Sequence, residues 1–421
     1  MDFQKLLQGV DCACGKHHRC DMDFVAVEPD AIRHLTTLCQ DYHSILLVAD
    51  ENTFGAAGEK TMQYLAGKAV DQVIFPGDKV LIPNEAAIEK VQAALDRHDL
   101  IIGIGSGVIQ DLCKYVSLKS GVPYFVVATA PSMDGYASTG AAMILGGMKV
   151  TVPAGVPKAI LADPGILKNA PMDMIRAGYG DIVGKFSALN DWKLSSLVHG
   201  EHFCQENYGL VWRMLQDTLQ LADGLQKREE ESVRVLMEAL VVVGIAMSFV
   251  GSSRPASGSE HHLSHYFEIT GIVRDEPYFP HGIDVAYSTV ITCKLREKLL
   301  EKAWPDTQYR PQRAAYEAEM DRVYGVVGSS CVALQDKMGR YDQNMLPVYK
   351  EKEAAIRELL REVPTADEIL QMLAAVGMDM TEFYQLYSPE KLADAILWAK
   401  DLKDRYTVLW LYYDLFGGEK V

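Results

Sequence analysis

What most constrains the fold of this chain is where its strands stop. Over the first 165 of 421 residues, strand-like and helix-like segments alternate; beyond that point strand signals almost vanish. Residues 45–49 are a short apolar run ending at Asp50, and residues 72–75 are a second, closed by Pro76-Gly77. Residues 100–104 and 124–128 are two more. Residues 84–95 carry apolar side chains at helical spacing with Asn84 as N-cap, and a further amphipathic helix runs from Gly107 to Lys119. Fully apolar runs separated by amphipathic helices predict a parallel sheet covered on both faces. Residues 172–196, 208–225, 229–250 and 285–302 then read as long helices. Another opens at Thr365, an N-cap followed three residues on by Glu368. The expected architecture is an α/β Rossmann-like domain over residues 1–165 followed by an all-helical domain over 166–421. The short join at Asp163-Pro164-Gly165 makes a cleft between the two the natural place for a site.

The net charge of −16 argues against a nucleic-acid or anionic-membrane surface, although a local basic pocket would still admit a small anionic substrate. No apolar run is expected to reach the length of a membrane span; residues 239–250 read as a buried helix. Met1-Asp2-Phe3-Gln4-Lys5 lacks a signal-peptide pattern. The eight cysteines are scattered, which fits a reducing compartment, so the chain is expected to be cytoplasmic. Cys12, Cys14 and Cys20 crowd together with His17 and His18, but without the paired CxxC spacing of a structural zinc site. The segment reads as the turn of a hairpin.

Four of the eleven histidines fall within Ser257-Gly258-Ser259-Glu260-His261-His262-Leu263-Ser264-His265 and Pro280-His281-Gly282. His261 and His265 share one face of a helix, and His281 stands at a turn or helix start. Such a pair is common on solvated helix faces, and His281 is what raises it toward a metal site. Neutral imidazole binds divalent transition metals, and three protein ligands with an open position describe a catalytic site. HExxH is absent, which argues against a zincin protease. His262, turned about 100° from His261, reads as a bystander.

Gly105-Ser106-Gly107, within GIGSGVIQD, lies between a strand and a helix, where glycines let the backbone approach a pyrophosphate at a helix N-terminus. Neither GxGxxG nor a Walker loop is satisfied. Asp50 ends the first strong strand, where a carboxylate can bond a ribose hydroxyl. Together they favour NAD(P). Thr129-Ala130-Pro131-Ser132-Met133-Asp134-Gly135-Tyr136-Ala137-Ser138 also follows a strand end, where an open α/β sheet binds its ligands; Asp134-Gly135 is equally good turn chemistry.

Gly180-Asp181-Ile182-Val183-Gly184-Lys185 supplies a carboxylate. With SGSEHHLSH, PHG, GSGVIQD and TAPSMDGYAS in this order, the chain resembles the glycerol-1-phosphate dehydrogenase family, its bacterial branch most. That family belongs to the wider group of iron-containing alcohol dehydrogenases, glycerol dehydrogenases and dehydroquinate synthases. The resemblance spans about Asp50 to Gly282 and matches no motif in the C-terminal stretch.

The resemblance implies Asp181, His261 and His281 as ligands of one divalent metal. Zinc, nickel, iron or cobalt would suit, with zinc or nickel the expected occupant. It places His265 and Asp134 toward the substrate, with Asp181 beside it. Gly105, Gly107, Val108, Ile109 and Asp111 would follow the dinucleotide pyrophosphate, and Thr129, Ser132 and Ser138 would also contact the cofactor. Asp50 would face the adenosine ribose and favour NAD(H) over NADP(H). Lys185 and Arg254, with Lys193 as a third candidate, would hold a substrate phosphate. The implied reaction is reversible reduction of dihydroxyacetone phosphate to sn-glycerol 1-phosphate, in a homo-oligomer expected to be a dimer. Lys185 and Arg254 oppose a glycerol dehydrogenase acting on an unphosphorylated polyol. A lyase of the dehydroquinate synthase type would place a glutamate where Asp181 stands. A non-catalytic regulator would leave three metal ligands without a purpose.

Overall fold

Six strands form one all-parallel sheet in the computed structural model, which describes residues 1–146, 148–417 and 419. They are Phe24–Val27 (β1), Ser44–Asp50 (β2), Ala69–Phe75 (β3), Leu100–Gly105 (β4), Tyr124–Ala128 (β5) and Ala159–Ala162 (β6). Their order is β1-β6-β5-β4-β2-β3. The interiors of β2 and β4 are wholly buried, which is why they read as continuous apolar runs rather than alternating ones. β3 is an edge strand and buries only Val73 and Phe75. β2 has β3 on one side and β4 on the other, so the winding reverses there. The crevice of such a switch point opens at the carboxyl ends of the two strands, at Asp50 and Gly105. β1 and β6 have only four residues each, too few for their pattern to stand out in sequence.

The helices used below are Glu51–Tyr64 (α1), Glu85–Ala94 (α2), Gly107–Ser120 (α3), Met172–Val183 (α4), Lys185–His199 (α5), Gln205–Leu219 (α6), Glu230–Val250 (α7), Ser259–Arg274 (α8) and His281–Glu301 (α9). Asn84 caps α2 by accepting from Ala87 N–H at 3.1 Å, and Thr365 and Glu368 form a reciprocal capping box. The helix expected over 172–196 is two helices, interrupted at Gly184, a residue of low helix propensity.

Strand structure of the main sheet ends with β6, so secondary structure changes character close to residue 165. Contacts divide the chain differently. One compact unit comprises residues 1–182 and 209–253; the other comprises residues 183–208 and those from 254 onward. Most of α4 and all of α7 therefore count with the sheet. α7 is, by length and apolar composition, long enough to cross a membrane, which corrects the expectation that no segment reaches that length. Yet 72% of its most apolar window is buried inside the protein, as in a core helix.

Candidate active site

In the sheet-bearing unit the candidate nucleotide site is built mostly from backbone. α3 begins at Gly107 directly after β4, and Ser106 offers its first turn no side-chain cap. The first N–H groups of α3 are thus left to other acceptors. A Cβ on Gly105 would stand 2.7 Å from Ile109 Cβ, so glycine there allows α3 to press against β4. Gly107 differs: a Cβ there meets only the Met133 side chain, at 3.6 Å. Gln110, which sequence reasoning passed over, ties α3 to the strand by donating to Gly103 O and Gly105 O, both at 3.3 Å. Ser106, Gly107, Val108 and Asp111 remain partly exposed, while Ile109 is buried. Asp50 has a structural task as well, since its carboxylate accepts Thr53 N–H at 2.8 Å and caps α1.

The loop after β5 is held rigidly. Thr129 N–H donates to Gly105 O at 3.2 Å, and Tyr136 Oη donates to Ala130 O at 2.6 Å. Gly178 of α4 and Gly244 of α7 lie flat against the loop backbone: a Cβ would fall 1.9 Å from Pro131 O and 2.8 Å from Asp134 O, respectively. Lys114, fully buried, donates to Gly135 O (2.9 Å), Gly140 O (3.0 Å) and Ser138 Oγ (3.3 Å). Burial pushes its ammonium below the usual lysine range, against the pull of Asp111 and Asp134. Ser138 is therefore engaged in the turn itself, donating to Gly135 O at 3.0 Å. Thr129, Ser132 and Asp134 are buried. Asp134 N–H donates to Asp181 Oδ2 at 3.0 Å, fixing a carboxylate that is itself wholly buried on α4.

In the helical unit the site is built from side chains. His261 and His265 lie one turn apart on α8, and His281 opens α9 behind Pro280. The three rings cluster: centroids are 5.1 Å apart for His261 and His281, 5.4 Å for His265 and His281, and 6.3 Å for His261 and His265. Ring nitrogens of His261 and His281 come within 4.8 Å of each other. His261 Nδ1 faces Glu260 Oε1 at 2.7 Å, and His281 Nδ1 faces Ser264 Oγ at 3.3 Å. Both contacts orient the ring through Nδ1. Glu260 is braced in turn by Gly258 N–H at 2.8 Å.

The start of α8 is fixed from α5 and α9. Asp191 Oδ2 accepts Ser259 N–H at 2.6 Å, while Asp191 Oδ1 meets Arg296 at 2.9 Å and Val408 N–H at 2.9 Å. A Cβ on Gly258 would lie 2.7 Å from Asp191 Oδ2, so the approach needs glycine. His262 is wholly buried, and neither ring nitrogen finds a hydrogen-bond partner. Burial and the cations Lys403, Arg405 and Arg254 hold it well below the usual histidine range, so it is neutral.

The basic candidates diverge. Lys185 is fully buried and donates to Ala256 O at 3.0 Å, in the loop that precedes α8. Arg254 is gripped by Glu201, through Nε to Oε1 at 2.7 Å and Nη2 to Oε2 at 2.5 Å, and also donates to Tyr406 O at 2.9 Å. Lys193 forms a partly exposed ion pair with Glu362 at 2.7 Å and lies over the Tyr208 ring. Two further cations, missed because no C-terminal motif matched, flank the same loop. Arg405 donates to Ser257 O at 2.8 Å, and Lys403 lies 3.4 Å from Ser257 Oγ. Burial lowers Arg405 to about 10, with Arg254 adding to the effect. The run Lys400-Asp401-Leu402-Lys403-Asp404-Arg405 was the available signal, though such charge runs usually mark a solvated face.

Residues 26–171 match the family model of iron-containing alcohol dehydrogenases. A glycerol-1-phosphate dehydrogenase [NAD(P)+] of Geobacillus stearothermophilus is 30% identical over 418 residues, 97% of this chain and 96% of the relative. One from Halalkalibacterium halodurans is 34% identical over 293 residues, 68% of this chain and 73% of the relative. Among solved structures, an iron-containing alcohol dehydrogenase from Thermococcus thioreducens shares the fold with a TM-score of 0.61 at 14% identity, covering 91% of each chain.

Proposed function

Because this chain belongs to the NAD(P)-dependent glycerol-1-phosphate dehydrogenase family, we propose that it interconverts dihydroxyacetone phosphate and sn-glycerol 1-phosphate. In this reading the sheet-bearing unit binds the dinucleotide, and Asp181, His261 and His281 hold one divalent ion, zinc or nickel. The observation that carries the reading is the pair of histidines whose ring nitrogens come within 4.8 Å of each other and whose rings are oriented through Nδ1, by Glu260 and Ser264. Asp181 fits as the third donor because it is a buried carboxylate whose position a backbone N–H fixes. Such an ion, when bound, supplies Lewis-acid polarisation of the substrate carbonyl, and NAD(P)H supplies the hydride.

The remaining work falls to the chain's own groups. The N–H groups at Gly107, Val108 and Ile109 would hold the pyrophosphate of a bound dinucleotide, with Gly105 and Asp111 contributing to the same turn. Thr129, Ser132 and Ser138 would contact the cofactor, and Asp50 would take the adenosine ribose. Lys185 and Arg254 attract the substrate phosphate, and Arg405 and Lys403 add positive charge around the same loop. Asp134 orients the substrate hydroxyl. His265, beside both metal-site histidines, carries the proton that neutralises the new alkoxide. The enzyme works as a cytoplasmic homodimer.

The test is NADH oxidation with dihydroxyacetone phosphate, set against unphosphorylated dihydroxyacetone and against glycerol with NAD, with chiral analysis of the product. Preference for the phosphorylated ketone and an sn-1 product are expected. Equal rates with the unphosphorylated ketone would remove the phosphate contacts from the proposal. Full activity in a chelated, metal-free preparation would remove the ion.

A further inference from the structure

We infer that Cys12, Cys14 and His18 form a second metal site, a small structural knuckle for zinc or another thiophilic divalent ion, in the sheet-bearing unit. The N-terminal segment folds as the expected hairpin, with Val10 paired to His18 and Asp11 to His17. Its tip is closed by Cys12 N–H to Lys16 O and Gly15 N–H to Cys12 O, both 3.0 Å, and Gly15 takes the left-handed φ of +85°. The turn does more than close a ribbon. It brings Cys12 Sγ, Cys14 Sγ and a His18 ring nitrogen within 4.8 Å of one another. Sulfurs on one tetrahedral zinc, at ~2.3 Å each, stand ~3.8 Å apart, and a sulfur and an imidazole nitrogen ~3.6 Å. Cys14 Sγ and His18 Nε2 are 3.3 Å apart.

Two details point to an ion rather than to a chance cluster. His18 is buried, and its Nδ1 meets the Phe249 carbonyl at 2.9 Å. Only Nδ1–H can satisfy that oxygen, so Nε2, the nitrogen facing Cys14, is the bare one. That is the tautomer and the outer support expected of a metal-bound imidazole. Cys14 N–H also points at Cys12 Sγ, 3.5 Å away, a backbone donor that would support the sulfur as an outer partner does in a metal site. The other two residues of the crowded segment turn elsewhere. Cys20 is buried, with its thiol pushed up by that burial, and His17 pairs with Asp11 at 2.8 Å. This explains why the spacing looked wrong for zinc: the ligands follow C-x-C-x3-H and omit the third cysteine.

Binding would release the two thiol protons and join the hairpin to the end of α7 through His18 and Phe249. The role is structural and independent of the proposed reaction.

Cobalt(II) is the probe, loaded into the full-length protein after chelation under reducing conditions. Thiolate-to-cobalt charge transfer in the near ultraviolet can arise only from a cysteine site, so it does not depend on the Asp181, His261 and His281 reading. We expect it in the wild type at about one ion's intensity, unchanged in His261→Ala, weakened in His18→Ala and absent in Cys12→Ser/Cys14→Ser. Thiol titration with and without zinc gives a second readout in unmutated protein. Protection of two cysteines means that water fills the fourth position, and protection of three means that another thiol does; either supports the site. Absence of the band from wild type, its persistence in the double variant, or no thiol protection would overturn it.

Discussion

The nucleotide side and the histidine side of this protein are built from different materials. On the first, the main actors are strand ends, helix N–H groups and a loop whose backbone is clasped by Gly178 and Gly244. Its buried cation Lys114 serves the loop rather than facing outward. On the second, the actors are imidazoles and guanidinium groups held by carboxylates: buried Glu260 for His261 and partly exposed Glu201 for Arg254, with buried Asp191 at the start of α8. A backbone site tolerates changes of side chain but not of approach. A side-chain site tolerates small shifts of backbone but not loss of a donor.

The largest effect should come from breaking the donor set. His261→Ala is expected to lower kcat by about 1,000-fold or more, since Lewis-acid stabilisation is worth several kcal/mol and each ~1.4 kcal/mol is tenfold. Fold and dinucleotide affinity should persist, which calorimetry with NADH would check. The corresponding break on the backbone side is Gly178→Ala. Its Cβ would sit 1.9 Å from Pro131 O, a backbone atom with nowhere to retreat. We expect a loss at or above the top of the ~1–3 kcal/mol overpacking range, read as a lowered Tm. Gly107→Ala is the control, because its Cβ meets only Met133 at 3.6 Å. It should leave Tm nearly unchanged while raising KM for NADH by about tenfold, ~1.4 kcal/mol. A fall in Tm as large as that of Gly178→Ala would show that Gly107 serves packing rather than the ligand.

Glu260→Gln sharpens the histidine side. It keeps volume and one acceptor for His261 Nδ1 but removes the charge that stiffens the ring. Loss of an outer partner of this kind costs about 10- to 100-fold in metal affinity or activity. Rescue by excess metal would place the loss in affinity. An unchanged metal dissociation constant would mean that the contact is only structural.

This contrast also decides what could be read from sequence. β2, β4 and β5 were legible because burial on both faces makes each a continuous apolar run, and the edge strand β3 through its short run at 72–75 closed by Pro76-Gly77. β1 and β6 were not, because four residues such as Phe24-Val25-Ala26-Val27 do not stand out from a loop. His261, His265 and His281 were legible as residue types. Their supports were not: Glu260 and Asp191 are ordinary carboxylates until the fold brings them to an imidazole and a helix start. Arg405 and Lys403 lie about 150 residues from Ser257 in sequence, and only tertiary structure joins them to its loop. At the N-terminus the hairpin was legible, but not which of Cys12, Cys14, Cys20, His17 and His18 share its tip. That depends on side-chain direction around Gly15.

The smallest effect tests a residue that belongs to both kinds of site. Asp50 ends β2 at the switch point, where a ribose would be recognised, yet its carboxylate also caps α1. Asp50→Asn separates the two tasks. Asparagine caps a helix about as well as aspartate, so stability should change by no more than a few tenths of a kcal/mol. The charge is what would repel a 2′-phosphate. Removing it should shift the ratio of kcat/KM for NADH over NADPH toward NADPH by up to about tenfold, ~1.4 kcal/mol. An unchanged ratio together with an unchanged Tm would leave Asp50 as a helix cap alone, and the nucleotide preference would then have to come from the backbone around it.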